Sequence, residues 1–248
     1  DCLDKYCEKW HLYVNLNKTK VLIFNKSGKM LKHKLLFKQE LLESSKTYCY
    51  LGIDFTVNSS FSQAVSTLCN KAMKVVFKLQ KTFGYDMPVK IGLKLFDCLV
   101  KPIVMYGCQI WGSYMYRNKM FSDIETDMLD KLCFETVHLK MMKMLLGVHR
   151  TTTNMAVRGE LGRYPLYIEI CKHMMKYWIK LTESKCNTLI YDAYVFNLSS
   201  LFQEKPCWIS PIKHILVQII PSFAEYWHNQ HINTKNHVYF LKQFQISL

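Results

Sequence analysis

The sequence predicts a mainly α-helical protein with a small antiparallel β part near its start. Short apolar runs bounded by polar residues occupy the first part of the chain, as short strands would. From Phe61 onward, apolar residues recur instead at the spacing of helices. Half of the 248 residues are hydrophobic, which is enough to bury one sizeable core or two small ones. We therefore expect a folded protein.

The β part is expected to follow a short helix. Apolar residues at positions 3, 6, 7 and 10 predict that helix over residues 1–12. Short apolar runs at 21–24, 35–37 and 47–53 then predict strands of a small antiparallel hairpin set, with a turn at 25–28. Since the chain opens with Asp1 inside a helical pattern, we expect it to be a fragment of a longer protein.

A long amphipathic helix is predicted next. Its apolar face comprises Phe61, Val65, Leu68, Ala72, Val75, Val76 and Leu79. Four lysines gather on another face, roughly 130° away at about 100° per residue. These are Lys71, Lys74, Lys78 and Lys81. The helix is therefore expected to bury one side and to present a row of positive charge on the other.

Further helices fill the rest of the chain. Pro88 suits the first turn of a second helix that runs through Val100. A third is predicted over residues 122–146 and ends at Gly147, since glycine favours the left-handed terminus of a helix. Thr153 is expected to cap the next helix, and an aromatic-rich helix passes through Tyr177 and Trp178. Residues 187–248 contain no motif that predicts a function.

Charge favours polyanionic partners. Lysine and arginine number 33 against 19 acidic residues, a formal net charge of +14. Neutralising phosphates releases condensed counterions, so nucleic acid is the first candidate partner and an anionic membrane surface is the second. The most apolar stretch, residues 98–111, is interrupted by Lys101 and Pro102 and is shorter than the roughly 20 residues of a membrane span. No membrane insertion is predicted.

No metal site is predicted in this chain. The ten cysteines are scattered without a Cys-x2-Cys pair, and the Cys and His neighbours lack zinc spacing. Free cysteines in a reducing intracellular compartment fit better, and the many methionines are interpreted as core residues. Four acidic residues scatter around the predicted third helix and are interpreted as a solvated face. They are Asp123, Glu125, Asp127 and Asp130.

Three segments carry a family resemblance. They are YCEKWHLYVNLNKTKVLIF at 6–24, YCYLGIDF at 48–55 and GELGRYPL at 159–166. In this order and at these separations they resemble the carboxy-terminal part of LINE-type (non-LTR) retrotransposon reverse transcriptases. The resemblance implies three regions: the end of the palm with a primer-grip hairpin (1–58), a helical thumb (59–150) and a helical carboxy-terminal extension (151–248).

The implied activity is that of an RNA-directed DNA polymerase. Its partners would be an RNA template with a DNA primer, together with upstream palm, fingers and endonuclease domains, in a cytoplasmic ribonucleoprotein and in the nucleus. The family's two Mg²⁺ ions are held by aspartates that the resemblance places upstream of Asp1. No Asp-Asp pair occurs here. This fragment alone is therefore predicted to be inactive and to bind no cofactor.

The resemblance also assigns residues. Lys18, and after it Lys20, match the lysine that approaches the leaving pyrophosphate, although solvent-facing lysines of a basic loop explain both equally well. Tyr50, Leu51 and Gly52 resemble the primer grip, where glycine lets the backbone approach a sugar-phosphate. The alternative is an ordinary hairpin with Tyr50 and Leu51 in the core.

Two assignments concern charged residues of the helical regions. Lys71, Lys74, Lys78 and Lys81 would lie on the first thumb helix and contact duplex phosphates, the alternative being a merely solvated surface. Residues 159–163 are interpreted as a tight turn between helices, with Arg158 and Arg163 as candidate phosphate or carboxylate partners.

Two other functions remain open from the sequence. One is a non-catalytic nucleic-acid-binding helical module, derived from a degenerate or host-adopted element. The other is a basic helical scaffold for protein interaction, without any nucleic-acid role.

Overall fold

A computed structural model describes residues 2–31, 34–84, 87–117, 129–182, 188–203 and 205–219. The described chain is mainly helical with small paired strands, which confirms the predicted class of a mainly α protein with a small β part. By its internal contacts the chain divides into two compact units, Asp1–Ala64 and Val65–Leu248. The predicted domain boundaries were after residues 58 and 150. In the structure, helices on both sides of residue 150 pack together within the second unit.

The described residues of the first unit form one complete helix and six short strands. They are α1 (Cys2–Lys9), β1 (Lys20–Val21), β2 (Leu36–Phe37), β3 (Glu40–Leu41), β4 (Glu43–Ser44), β5 (Thr47–Tyr50) and β6 (Ile53–Thr56). The pairs β2–β3 and β5–β6 are antiparallel, as predicted, but the single strand predicted over 47–53 ends at Tyr50 and turns back into β6. By contrast, β1 pairs with β4 in parallel. The chain crosses over through the β2–β3 hairpin and returns in the same direction, so the predicted all-antiparallel set was wrong at this pair.

Helix α2 (Ser62–Phe83) is the longest described element, at 22 residues. Its buried residues are Ala64, Val65, Leu68, Cys69, Ala72, Val76 and Leu79. The four predicted lysines are all exposed. The amphipathic pattern is therefore confirmed, although Phe61 precedes the helix and Val75 is only half-buried. The spacing of its apolar residues determines which side packs against the core.

The next helical stretch changes its geometry in the middle. It consists of α3 (Val89–Leu95), a π-helical turn (Phe96–Val100) and α4 (Lys101–Val104). Pro88 precedes α3 as its capping residue instead of lying in the first turn. The predicted single helix to Val100 missed the π turn, because periodicity does not separate an i→i+5 turn from an α-helical one.

The remaining described helices belong to the second unit. They are α5 (Cys108–Arg117), α6 (Cys133–Leu145), α7 (Asn154–Leu161), α8 (Leu166–Thr182), α9 (Leu189–Phe202) and α10 (Ser210–Ile219). Of the predicted helix over 122–146, residues 122–128 lie outside the described residues. Within the described part, a turn at 131–132 separates α6 from the helical residues before it, so the prediction of one continuous helix was wrong.

Glycines with a positive φ end two of the helices. Gly147 follows α6 with a φ of 64°, as predicted. Gly159 lies inside α7, and the left-handed residue is Gly162 with a φ of 59°. The predicted turn over 159–163 is therefore confined to its last part. Thr153 stands at the amino-terminal cap of α7, but its side chain donates or accepts no capping hydrogen bond.

The core of the second unit lies where α5 packs on α8. A Cβ added at Gly112 would lie 2.7 Å from Ile170 Cγ2 and 2.7 Å from Met174 Sδ, so the absent side chain permits the close approach. Trp111 and Trp178 are fully buried beside this contact. The prediction that the methionines fill the core is confirmed for Met141, Met142, Met144, Met174 and Met175, but Met155 is exposed.

Candidate nucleic-acid interface

The lysine face of α2 (Lys71, Lys74, Lys78 and Lys81) is a row of exposed cations. All four side chains lie on the solvent side of the helix. The 22 residues of α2 include no aspartate or glutamate. Among the described residues, none of the four ammonium groups pairs with a carboxylate. These charges are therefore free to attract an external polyanion.

An aromatic ring lies beside this row. Phe77 is on the same side of α2 and is 52% exposed. The Lys140 ammonium of α6 is 5.8 Å from the centroid of its ring, a cation–π contact. Sequence reasoning missed Phe77, although it stands three residues after Lys74, where a neighbour on a helix face is expected. An exposed ring among cations offers a flat apolar surface for a sugar or a base.

The β5–β6 hairpin presents the predicted grip residues at its tip. Tyr50 pairs with Ile53, so Leu51 and Gly52 form a two-residue loop. Their φ angles are 49° and 83°, the positive values that a tight hairpin turn of the I′ type requires. Such a φ suits glycine but costs a leucine about 1–2 kcal/mol. Leu51 therefore holds a strained position at the point where the chain reverses.

Both apolar side chains at this tip face solvent. Tyr50 is 58% exposed and Leu51 is 72% exposed. The alternative of an ordinary hairpin with both residues in the core was therefore wrong. A strained, exposed leucine beside an exposed tyrosine is the kind of feature found at contact surfaces.

The two predicted catalytic lysines differ in their surroundings. Residues 15–19 form a turn in which Asn15 Oδ1 accepts a hydrogen bond from the Lys18 N–H at 3.2 Å, and the Lys18 side chain is exposed. Lys20 lies in β1, and its Nζ is 3.1 Å from Glu43 Oε1 on the paired strand β4. This ion pair gives Lys20 a local partner that the sequence did not indicate.

The GELGRYPL segment forms a junction between helices. Arg158 of α7 is buried, and its Nη2 is 3.0 Å from Glu135 Oε2 and 2.6 Å from Asp130 Oδ1. Glu135 is 0% exposed, and its other oxygen accepts the Tyr167 N–H at 2.9 Å. Buried charges need such partners, because an unpaired one is very costly. The arginine therefore links α6, α7 and α8.

Asp130 corrects one sequence interpretation. It was assigned to a solvated acidic face, but its side chain is largely buried between Arg158 and the Asn154 amide, which donates to Asp130 Oδ2 at 2.8 Å. The other three acidic residues of that set lie outside the described residues. A carboxylate whose partner is 28 residues away cannot be recognised from its helical position alone.

The second arginine of the segment binds a carboxylate as well. Gly162 turns the chain after α7, and the Arg163 N–H donates to the Arg158 carbonyl at 2.9 Å, which closes the helix end. Arg163 then forms two parallel hydrogen bonds to Asp97 of the π turn, at 2.9 and 2.7 Å. We call Arg158 and Arg163 with their carboxylates Asp97, Asp130 and Glu135 the arginine junction.

A pair of thiols lies on the buried side of α2. Cys69 of α2 and Cys133, the first residue of α6, share a side-chain hydrogen bond, and both are free thiols. This hydrogen bond and the first backbone N–H groups of α6 lower the pKa of Cys133 to about 7, although burial opposes the shift. The thiol pair therefore marks the contact of α2 with α6.

The described ranges contain neither a cluster of metal ligands nor a helix that could span a membrane. Within them, no three His, Cys, Asp or Glu side chains come together as metal ligands would. In the same ranges, no helix is both long enough and apolar enough to cross a bilayer.

Comparison with known proteins adds no assignment. Neither family models, curated proteins nor solved structures match this chain.

Proposed function

We propose that this chain is the carboxy-terminal part of an RNA-directed DNA polymerase of the LINE retrotransposon type, and that it holds the primer–template duplex. The observation that carries the proposal is the lysine face of α2. Four exposed cations along one side of a helix that contains no aspartate or glutamate can follow a phosphate backbone. Contacts to phosphates position a duplex without reading its sequence, as a polymerase that copies any template requires.

The hairpin tip supports the same proposal. In the proposed role, Tyr50 and Leu51 contact the sugar of the primer end, and Gly52 lets the backbone approach its phosphate. The strain at Leu51 is then the cost of placing an apolar side chain at the very tip. A tip that served only to reverse the chain would be more stable with asparagine or glycine at that position.

The lysines near β1 receive separate roles. Lys18 is exposed and remains the proposed partner of the leaving pyrophosphate. Lys20 is the weaker choice, because its ammonium is already paired with Glu43. The Mg²⁺ ions of the proposed polymerase would be held by aspartates of its upstream part, and among the described residues no group of side chains could hold them.

The proposal is tested by filter binding of the chain to an RNA–DNA hybrid across a salt series. Replacing Lys71, Lys74, Lys78 and Lys81 with alanine should weaken binding strongly. It should also reduce the slope of log K against log salt by about 0.7–0.9 for each lysine that contacts a phosphate. The matched control replaces four exposed lysines elsewhere in the second unit: Lys90, Lys94, Lys131 and Lys180. Equal losses in both variants, or binding that ignores salt, would contradict the proposal.

A second binding experiment distinguishes the polymerase role from that of a non-catalytic binding module. A primer-holding chain should prefer a hybrid with a recessed 3′ end over a blunt hybrid, whereas a general binding module should not. Leu51→Gly removes the exposed side chain and suits the positive φ, so the hairpin should remain folded. In the polymerase role, this variant loses the preference for the recessed end while its salt dependence stays the same.

A further inference from the structure

A cavity of about 440 Å³ lies within the second unit, away from the lysine face. Its walls come from the π turn, α4, α6, the first half of α8 and the loop after α7. Its volume falls within the range of about 300–1,000 Å³ that is usual for small-molecule sites. None of the roles proposed above uses it.

The walls carry an excess of positive charge. The basic lining residues are Lys101, His138, Arg163, Lys172, His173 and Lys176, and the acidic one is Glu169. Lys172 and Lys176 are one turn apart on α8 and therefore point to the same side of the helix. Within the described part of the chain, neither is in an ion pair with a carboxylate. Lys172 is half-buried and Lys176 is exposed, so the two unpaired ammonium groups present positive charge to an anion in the cavity.

The two other cations are held in place by carboxylates. Lys101 Nζ is 2.6 Å from Glu169 Oε2, and Arg163 is held by its two bonds to Asp97. An ammonium has three donors and a guanidinium has five, so both groups keep N–H donors for a further acceptor. These ion pairs therefore orient the cations without using up their hydrogen-bonding capacity.

An exposed aromatic ring stands at the same cavity. Tyr164 lines it and is 80% exposed, directly after Arg163 in the chain. Phe96, also in the wall, is buried and stacked on His138 at 5.0 Å between ring centroids. Nucleic-acid-binding proteins commonly stack bases on such exposed rings next to cations.

The electrostatics of His173 agree with a crowded cationic site. Its partial burial lowers its pKa, Glu169 raises it, and the three lysines of the cavity lower it further. An anion bound among those lysines would oppose their effect. A rise in the pKa of His173 would therefore indicate that an anion occupies the cavity.

We propose that this cavity binds a single nucleotide, with its phosphate among Lys101, Arg163, Lys172 and Lys176 and its base on Tyr164. Two sources share this chemistry: a free mononucleotide, and the phosphorylated end of a nucleic-acid strand. The site is separate from the lysine face and does not depend on the duplex-holding role proposed above.

Calorimetric titration of the full chain tests the proposal. The probes are AMP, inorganic phosphate, and a short single strand with a 5′-phosphate or a 5′-hydroxyl. Replacing Lys172 and Lys176 with alanine should weaken AMP binding by at least about tenfold, since two charge-assisted hydrogen bonds are lost. The control replaces Lys94 and Lys180, which changes the net charge equally, and should bind as the parent protein does. Tyr164→Ala should weaken AMP but leave inorganic phosphate unchanged.

A second measurement uses the protein without substitutions. NMR titration of His173 should show its pKa rising when AMP is bound. The strand end is the natural ligand if the 5′-phosphorylated strand binds more tightly than AMP and the 5′-hydroxyl strand does not bind more tightly than AMP. The free nucleotide is the natural ligand if AMP binds as tightly as the 5′-phosphorylated strand. No saturable binding of any probe, equal weakening in the control, or an unmoved His173 would overturn the proposal. The α2 quadruple variant should bind AMP normally, so failure of one proposal does not mask the other.

Discussion

The lysine face and the arginine junction are both built from basic residues, but their surroundings are opposite. The four lysines point into solvent from a helix without acidic residues. Arg158 is buried against two carboxylates, and Arg163 is held by both oxygens of a third. Arginine suits the second setting because its planar group satisfies several acceptors at fixed angles. A cation thus contributes to stability where it is enclosed, and to binding where it is exposed.

The sharpest test of this difference is Arg158→Ala. Removing the guanidinium leaves the carboxylate of Glu135 buried and without its ionic partner. We expect a loss of about 3–5 kcal/mol in the free energy of unfolding, measured by urea denaturation. Lys94→Ala, an exposed control, should change it by no more than about 0.5 kcal/mol. A loss at Arg158 as small as the control's would mean that its surroundings are not enclosed.

Arg163 should give an intermediate result. Its two bonds to Asp97 are well formed, but both side chains are partly exposed, so water and salt screen the pair. Arg163→Ala should lower the free energy of unfolding by about 1 kcal/mol, and Arg163→Lys should not restore it, because lysine cannot form the paired bonds. Full recovery with lysine would show that charge alone matters at this position.

Replacing the lysines of the lysine face with alanine should leave the stability of the protein unchanged or raise it slightly, in contrast to the arginine variants. Lys74 and Lys78 are four residues apart, and such like charges repel each other by about 0.2–0.5 kcal/mol. Alanine is also the better helix former. The quadruple alanine variant should therefore melt at the same temperature as the parent or slightly higher, while it loses affinity for the hybrid. A clear drop in melting temperature would contradict the view that these cations serve an external partner.

The smallest expected effect concerns the thiol pair on the buried side of α2, and it is a shift in the pH dependence of Cys133 reactivity. Cys133 should react with iodoacetamide with a midpoint below that of an ordinary thiol, which lies at about pH 8.5. Reactivity is expected to rise with pH as the thiolate forms. Cys69→Ala removes the hydrogen bond that stabilises this thiolate, so the midpoint should move upward. An unchanged midpoint would mean that α6 alone lowers the pKa.

Local features of this fold follow from the sequence, and long-range ones do not. The periodicity of α2 correctly predicted both of its faces, and Gly147 correctly marked a helix end. The partners of Arg158 and Arg163 could not be predicted, because Glu135 and Asp97 stand on other helices and look like ordinary surface acids in the sequence. The pairing of Lys20 with Glu43 depends likewise on a parallel contact between strands of two residues each.

Among the candidate sites, too, those formed by one short segment could be predicted and those formed by distant residues could not. Tyr50, Leu51 and Gly52 were selected from one short segment, and their exposure at a hairpin tip agrees with a contact role. The nucleotide cavity brings Lys101 and Glu169 together over 68 residues of sequence. No spacing rule connects such positions, since only the packing of α8 beside α4 brings them together.

The π turn has a consequence for how the chain tolerates insertions and deletions. Gly92, Phe96, Val100 and Val104 are four residues apart, and all are buried. In a regular α-helix of 3.6 residues per turn, each such step drifts by about 40°, so the last would be out of phase with the first. The wider turn absorbs this drift. Deleting one residue from it would restore regular pitch and leave Val104 about 20° from Gly92 around the helix axis, so Val104 would stay in the core. The same deletion in a regular α-helix would rotate everything beyond it by about 100°.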